Sequence, residues 1–232
     1  MKIKVWSAEL PPFPREGIFH LEPASDCPVT RLLCSEAGRL CRLSQLEAPE
    51  NRAELRRFQR NLRRRIREKL GTRYDASLPV ELKDYGTLQR DGYTVRKITY
   101  QSRPGIHVPA LLYLPEGAEQ SREKLPAVVH MHGHFNTGKL GGRIQLLSQV
   151  LAKSGYVCLA PDAFGVYERA DVCHETEYHG GFPGSSLLNI GETLMGAQVV
   201  DNMRAVDALL SLPFVDGKRI GATGASGGVL SM

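Results

Sequence analysis

The stretch Arg219-Ile220-Gly221-Ala222-Thr223-Gly224-Ala225-Ser226-Gly227-Gly228 restricts the fold of this chain more than any other. Within it, Gly224-Ala225-Ser226-Gly227-Gly228 has the form G-x-S-x-G, which describes a sharp strand-to-helix turn that lifts a serine hydroxyl clear of a sheet. Such a turn is tight, so the positions two before and two after the serine must be nearly free of side chain. They are Gly224 and Gly228, with small Ala225 and Gly227 between. Residues 218–223 read as a short strand entered from the turn Asp216-Gly217. In that geometry Ser226 is a candidate nucleophile, and the backbone N–H of Gly227 faces the oxygen of a carbonyl under attack. The same letters permit two other readings. Gly221, Gly224 and Gly227 resemble the glycine fingerprint of a dinucleotide site, but that site needs an acidic residue about 20 positions on, and the sequence runs only to Met232. The stretch can also be a glycine-rich turn without chemistry.

Upstream, apolar runs alternate with helical periodicity. Residues 126–131 are a short, nearly continuous apolar run, as expected of a buried parallel strand. Residues 143–154 read as a helix with Ile144, Leu147, Val150 and Leu151 inward, and 156–160 as the next strand. Residues 163–191 read as irregular and glycine-rich, with His174 and His179. Residues 192–211 read as a helix with Leu194, Val199, Met203, Val206, Leu209 and Leu210 inward. This alternation predicts an α/β fold with a mostly parallel sheet covered by helices. Residues 85–114 instead read as antiparallel strands, with turns at Asp91-Gly92 and Pro104-Gly105.

The first part of the chain is less informative. Pro23, Pro28 and Pro49 restrict helices in residues 1–49 to short pieces, so this part reads as a wrapping extension. Five cysteines are an odd number for a disulfide framework. Cys27, Cys34 and Cys41 recur every seven residues, yet Pro28 and Gly38 argue against one helix, and the spacing is not that of a zinc site. The expectation is reduced thiols in a cytoplasmic protein with no metal. Residues 50–70 read as a helix with the stripe Leu55, Phe58, Leu62, Ile66 and Leu70, stopped by Gly71. Its other faces carry eight arginines between Arg52 and Arg67. No aromatics interleave on the basic face, so the expected role is docking on the main domain, with no nucleic acid as partner. The net charge of +5 is mild. No apolar run of 18 or more residues and no apolar leader segment point to a membrane or to secretion. The expected domains are 1–79, an extension, and 80–232, the α/β domain.

His132-Gly133-His134 follows the strand 126–131, where a loop can offer a second N–H to an oxyanion. Gly133, Gly138 and Lys139 also fit G-x-x-x-x-G-K, most of a phosphate-binding loop, and Asp162 could supply a magnesium-side carboxylate. Leu140, however, stands where that loop needs a serine or threonine. His130, His132 and His134 alternate, which opens the idea of a three-histidine metal site; a loop starting after residue 131 would splay His134 away and leave His130 as a core histidine.

With these motifs placed, the chain resembles the α/β-hydrolase superfamily, in the branch with acetyl-xylan-esterase-like and dipeptidyl-peptidase-like domains. The resemblance rests on Val108-Pro109-Ala110-Leu111-Leu112-Tyr113-Leu114-Pro115, on His132-Gly133-His134 with Gly138-Lys139, and on Gly155-Tyr156-Val157-Cys158-Leu159-Ala160-Pro161-Asp162. It continues through Arg204-Ala205-Val206-Asp207 and Val215-Asp216-Gly217-Lys218-Arg219-Ile220-Gly221 into the serine turn, and covers residues 80–232. It implies that Ser226 is the nucleophile, that the N–H groups of Gly227 and His134 form the oxyanion hole, and that Gly133, Gly224 and Gly228 shape the turn and loop. It implies hydrolysis of a small-molecule ester without a cofactor, and leaves Asp162 as a brace for loops. In this family the acid and the histidine follow the serine, whereas only Val229, Leu230, Ser231 and Met232 do so in this sequence. The chain is therefore expected to be the front part of an α/β-hydrolase, a poor esterase as it stands, with an oligomeric state that the sequence leaves open.

Overall fold

In the computed structural model of the chain, residues 28–43, 49–170 and 182–231 are described. The chain divides into two compact units, Met1–Phe58 and Gln59–Met232. The first holds helix α1, Pro28–Leu43. This corrects the expectation that Pro28 and Gly38 forbid one helix. Pro28 occupies the first position, where its fixed φ suits the helix and its missing N–H is an orphan anyway. Gly38 sits inside at a cost of about 1 kcal/mol relative to alanine. Cys34 and Cys41 thus do share a helix, with Cys34 exposed, and Cys27 lies outside the described residues. Helix α2, Arg52–Leu70, is capped by Asn51, whose Oδ1 accepts the N–H groups of Ala53 and Glu54 at 3.0 Å.

The second unit carries a six-stranded sheet. Its strands are β1 Lys83–Arg90, β2 Tyr93–Arg103, β3 Ile106–Pro115, β4 Leu125–Met131, β5 Val157–Pro161 and β6 Val215–Gly224, in the spatial order β1-β2-β3-β5-β4-β6. The first three and β5 pair antiparallel, while β5, β4 and β6 run parallel. Helices α3 Gly142–Lys153, α4 Phe182–Asn189, α5 Leu194–Leu210 and α6 Gly227–Leu230 follow the strand pattern. Because side chains alternate along a strand, β3 and β5 feed both faces. Leu111, Tyr113, Cys158 and Ala160 pack with Ile144 and Ala152 of α3, and Leu112, Leu114, Val157 and Leu159 with Ala205 and Leu209 of α5.

Both main helices bury only some of the large residues their periodicity marks: Ile144 of α3, with Leu151 packed beside it, and Leu194 and Leu209 of α5. Helix α3 buries Ile144, Ser148 and Ala152 and leaves Leu147 and Val150 exposed. Ser148 holds that face, because its Oγ meets His130 Nδ1 at 2.9 Å beneath the helix. Helix α5 buries Ala197, Val200, Asp201, Arg204, Ala205, Ala208 and Leu209. Val199, Met203 and Val206 are only half-buried, and Leu210 is exposed. Small residues let the helix approach the sheet, with Leu209 buried among them and Val206 packed against the core edge. Arg204 is buried on that face. It donates to the carbonyls of Leu78 at 2.7 Å and Gln101 at 3.1 Å and pairs with Asp207.

The end of the arginine-rich helix, within the second unit, is tied to α5. No residue of α2 is buried. Thr193 donates to the Leu70 carbonyl through both N–H, at 3.2 Å, and Oγ, at 2.8 Å. Between Ile66 and Leu70 on one side and Val199, Met203 and Val206 on the other lies an open groove of about 480 Å³. The stretch expected to be irregular also contains structure: a single 3-10 turn at Tyr167–Arg169 and helix α4. Residues 171–181, with His174 and His179, lie outside the described residues.

Candidate active site

Strand β6 ends at Gly224 and α6 starts at Gly227, so Ser226 stands at the junction. Its backbone has φ 55° and ψ −122°, a conformation that L side chains rarely adopt and that persists only where the surroundings enforce it. The surroundings are backbone. A Cβ on Gly228 would lie 2.4 Å from the Met131 carbonyl oxygen, and one on Gly224 would lie 2.8 Å from the Gly228 carbonyl carbon. The turn is therefore wedged against the end of β4, with no room for side chains at those two positions. Ser226 and Ala225 are exposed.

The loop after β4 meets this turn. A Cβ on Gly133 would come within 2.7 Å of Ala225 O and 2.9 Å of Ser226 Cβ, and one on Gly227 within 2.8 Å of His134 Cε1. The structure thus brings Gly133, His134, Ser226 and Gly227 together. The three alternating histidines part company. His130 faces Ser148 under α3. His132 is bound at both ring nitrogens: Nδ1–H donates to Gly133 O at 2.7 Å, and Nε2 accepts the Ala163 N–H at 3.0 Å. That pair of bonds requires the neutral ring, and burial pushes the pKa of both His130 and His132 below the usual imidazole value. His134 is exposed beside Gly227. Among the described residues no group of three or more His, Cys, Asp or Glu is placed to hold a metal ion.

Lys139 does not wait for a phosphate. Its side chain is 4% exposed and its ammonium is ion-paired with Asp162 and, at 3.0 Å, with Glu168. Its backbone N–H donates to Asp162 Oδ1 at 2.8 Å. Gly138, at φ 50°, gives the carboxylate room: a Cβ there would lie 2.3 Å from Asp162 Oδ1. The cation and the amide that would cradle a phosphate are thus spent on Asp162, so the phosphate-loop reading finds no support. Asp162 does brace loops, as its place at the end of β5 suggested.

Sequence reasoning missed a second buried pair. Arg169 is ion-paired with Asp201 of α5, and its guanidinium stacks 4.9 Å from the Phe164 ring centroid. The Tyr100 hydroxyl donates to the Asp201 carbonyl at 3.1 Å. The available signal was a pair of charges, Asp201 and Arg204, on the small-residue face of a helix otherwise read by its large residues. A cavity of about 20 Å³ lies behind the site, between His132, Gly133, Gly227, Asn202 and Asp201, a volume on the scale of one water.

A sheet with an antiparallel start and three parallel strands, helices on both faces, and a serine in a strained strand-to-helix turn define an α/β-hydrolase fold. The comparisons agree. The chain belongs to the acetyl xylan esterase (AXE1) family, whose model matches residues 58–232. Among solved structures it resembles the methylesterase BT1017, at 28% identity and a TM-score of 0.60 over 82% of this chain and 39% of that one. It also resembles an acetyl xylan esterase from Paenibacillus sp. R4, at 25% identity and a TM-score of 0.50 over 65% of this chain and 48% of that one. Acetyl xylan esterase 1 from Thermoanaerobacterium sp. JW/SL YS485, at 20% identity and a TM-score of 0.51, shares the fold over 75% of this chain and 52% of its own. The chain therefore spans about half the length, or less, of the structures it resembles. No curated protein matches the sequence significantly. No helix among the described residues is long and apolar enough to cross a membrane.

Proposed function

We propose that the protein to which these residues belong is a serine hydrolase of carboxylic esters, with Ser226 as nucleophile on a nucleophile elbow. The observation that carries this reading is the backbone of Ser226, held at positive φ between a strand and a helix with Gly133 packed against it. Ser226 Oγ attacks the ester carbonyl, and the tetrahedral oxyanion is received by the N–H groups of Gly227 and His134. The alcohol leaves, and water hydrolyses the acyl-enzyme. The base must accept the Ser226 proton. His130 and His132 are committed elsewhere by their hydrogen bonds, and the family order places the base after the serine. The activity is therefore proposed for the protein that joins these residues to such a histidine and its acid partner.

The substrate class is a small ester, and the family description favours an acetyl ester of a carbohydrate. No step calls for a cofactor. The catalytic portion is assigned to residues 80–232, which contain all six strands, with 1–79 as an extension. We assign a reducing, cytoplasmic setting on the odd number of cysteines in the sequence.

The test is covalent labelling with a fluorophosphonate together with turnover of p-nitrophenyl acetate. The label is expected on Ser226, with both label and turnover lost in Ser226→Ala. A label on another residue, or turnover that survives Ser226→Ala, would remove Ser226 from the mechanism. Faster hydrolysis of a methyl ester than of an acetylated carbohydrate would reverse the assignment of the acyl side.

A further inference from the structure

Two segments border the serine turn: the loop 132–140 after β4 and the stretch 162–169 after β5. Each is irregular, and each is fixed by buried charge. Lys139 lies on the first, and its partners Asp162 and Glu168 lie near the two ends of the second. The Lys139 ammonium also sits 5.2 Å from the centre of the Tyr167 ring, and Tyr167 itself is held at φ 52°. The His132 ring adds a second tie through the Ala163 N–H. Asp162 is 1% exposed, so the pair is screened from water, where an ion pair acts more strongly than at a surface.

We propose that Lys139 is a positioning residue. Its buried ammonium, shared by Asp162 and Glu168, clamps the loop 132–140 onto the stretch 162–169 and so fixes the backbone of Gly133 and His134 against Ser226. Lys139 has Asp162 and Glu168 as its polar partners. It acts through the loop, and its loss is felt where an oxyanion donor must be placed to within a fraction of an ångström.

The kinetic arm of the test rests on the esterase reading; the exchange arm does not. Lys139→Met strands a buried carboxylate, so it is paired with the double variant Lys139→Met/Asp162→Asn, which removes both charges and keeps an acceptor for the residue 139 N–H. In the full chain, amide hydrogen exchange read by mass spectrometry is expected to show 132–140 and 162–169 losing protection together, while β4 and β5 keep theirs. For the Ser226-dependent ester activity of the protein that carries the histidine and acid, kcat is expected to fall by about 10²-fold, as for a misplacement of about 1 Å, with KM nearly unchanged. A folded double variant with wild-type exchange overturns the clamp. So does a rise in KM at constant kcat, which would make Lys139 a substrate contact. If neither variant folds, the pair is a determinant of the fold and not a positioning device. If the protein that joins these residues to such a histidine and acid shows no Ser226-dependent turnover, the esterase reading fails and the exchange result alone decides on the clamp.

Discussion

At the scale of single residues, backbone atoms decide which side chains are allowed. Gly228 is the clearest position. The Met131 carbonyl oxygen would stand 2.4 Å from a Cβ there, and the carbonyl carbon 2.8 Å. Neither atom can rotate away, because Met131 is the last residue of β4 and is paired with Gly224 of β6. Gly228→Ala is therefore expected to destabilise the second unit by about 1–3 kcal/mol, the usual range for overpacking, and to move Ser226 relative to Gly133. Urea denaturation measures the first effect, and the rate of fluorophosphonate labelling at Ser226 the second. An alanine variant with wild-type values for both would show that the turn is less tightly wedged than its geometry states.

At the scale of elements, α5 organises the end of the sheet where the site lies. Its buried face supplies Asp201 to Arg169 and Arg204 to the carbonyls of Leu78 and Gln101. Its first turn is capped by Thr193, whose Oγ accepts the Gly196 N–H at 2.9 Å while donating to Leu70 O. One hydroxyl thus both caps α5 and holds the end of α2. Thr193→Ala is expected to cost about 1 kcal/mol for the cap, with further loss from the untied Leu70 carbonyl. Thr193→Ser keeps the hydroxyl and is expected to recover most of it. Chemical denaturation of the two variants checks both, and equal losses would assign the effect to the methyl group instead.

At the scale of the whole molecule, β6 is an edge strand among the described residues. It pairs with β4 on one side, and Lys218, Arg219, Gly221 and Ala222 are exposed. The open groove between α2 and α5 lies beside it, with Ala222 in its lining. A long exposed edge next to apolar surface is a template for association. The 232-residue polypeptide is accordingly expected to self-associate, with sedimentation equilibrium giving a mass above the 25.7 kDa of one chain. Gly221→Lys puts a charge on the edge where a Cβ would meet no atom within 4 Å, and is expected to shift the mass towards the monomer. A monomeric wild type would show that this edge is protected.

Some of this was fixed by local chemistry and could be read from the chain directly. The period-two and near-continuous apolar runs set the strands, the glycines at 224 and 228 set the turn at Ser226, and His132-Gly133-His134 marked the loop that faces it. Those signals survive because each depends on residues close in sequence: alternation, turn geometry, the absence of side chains. Other features depended on what lies across the fold. Helix α3 buries Ser148 in place of Leu147 because His130 waits on the neighbouring strand, and α5 buries alanines, Asp201 and Arg204 because close approach to the sheet outweighs the transfer of larger side chains. Lys139 looks like a phosphate ligand by spacing alone. Asp162, 23 residues away in the chain, turns it into a buried clamp, because a charge excluded from water must be answered by whichever partner the tertiary structure brings to it.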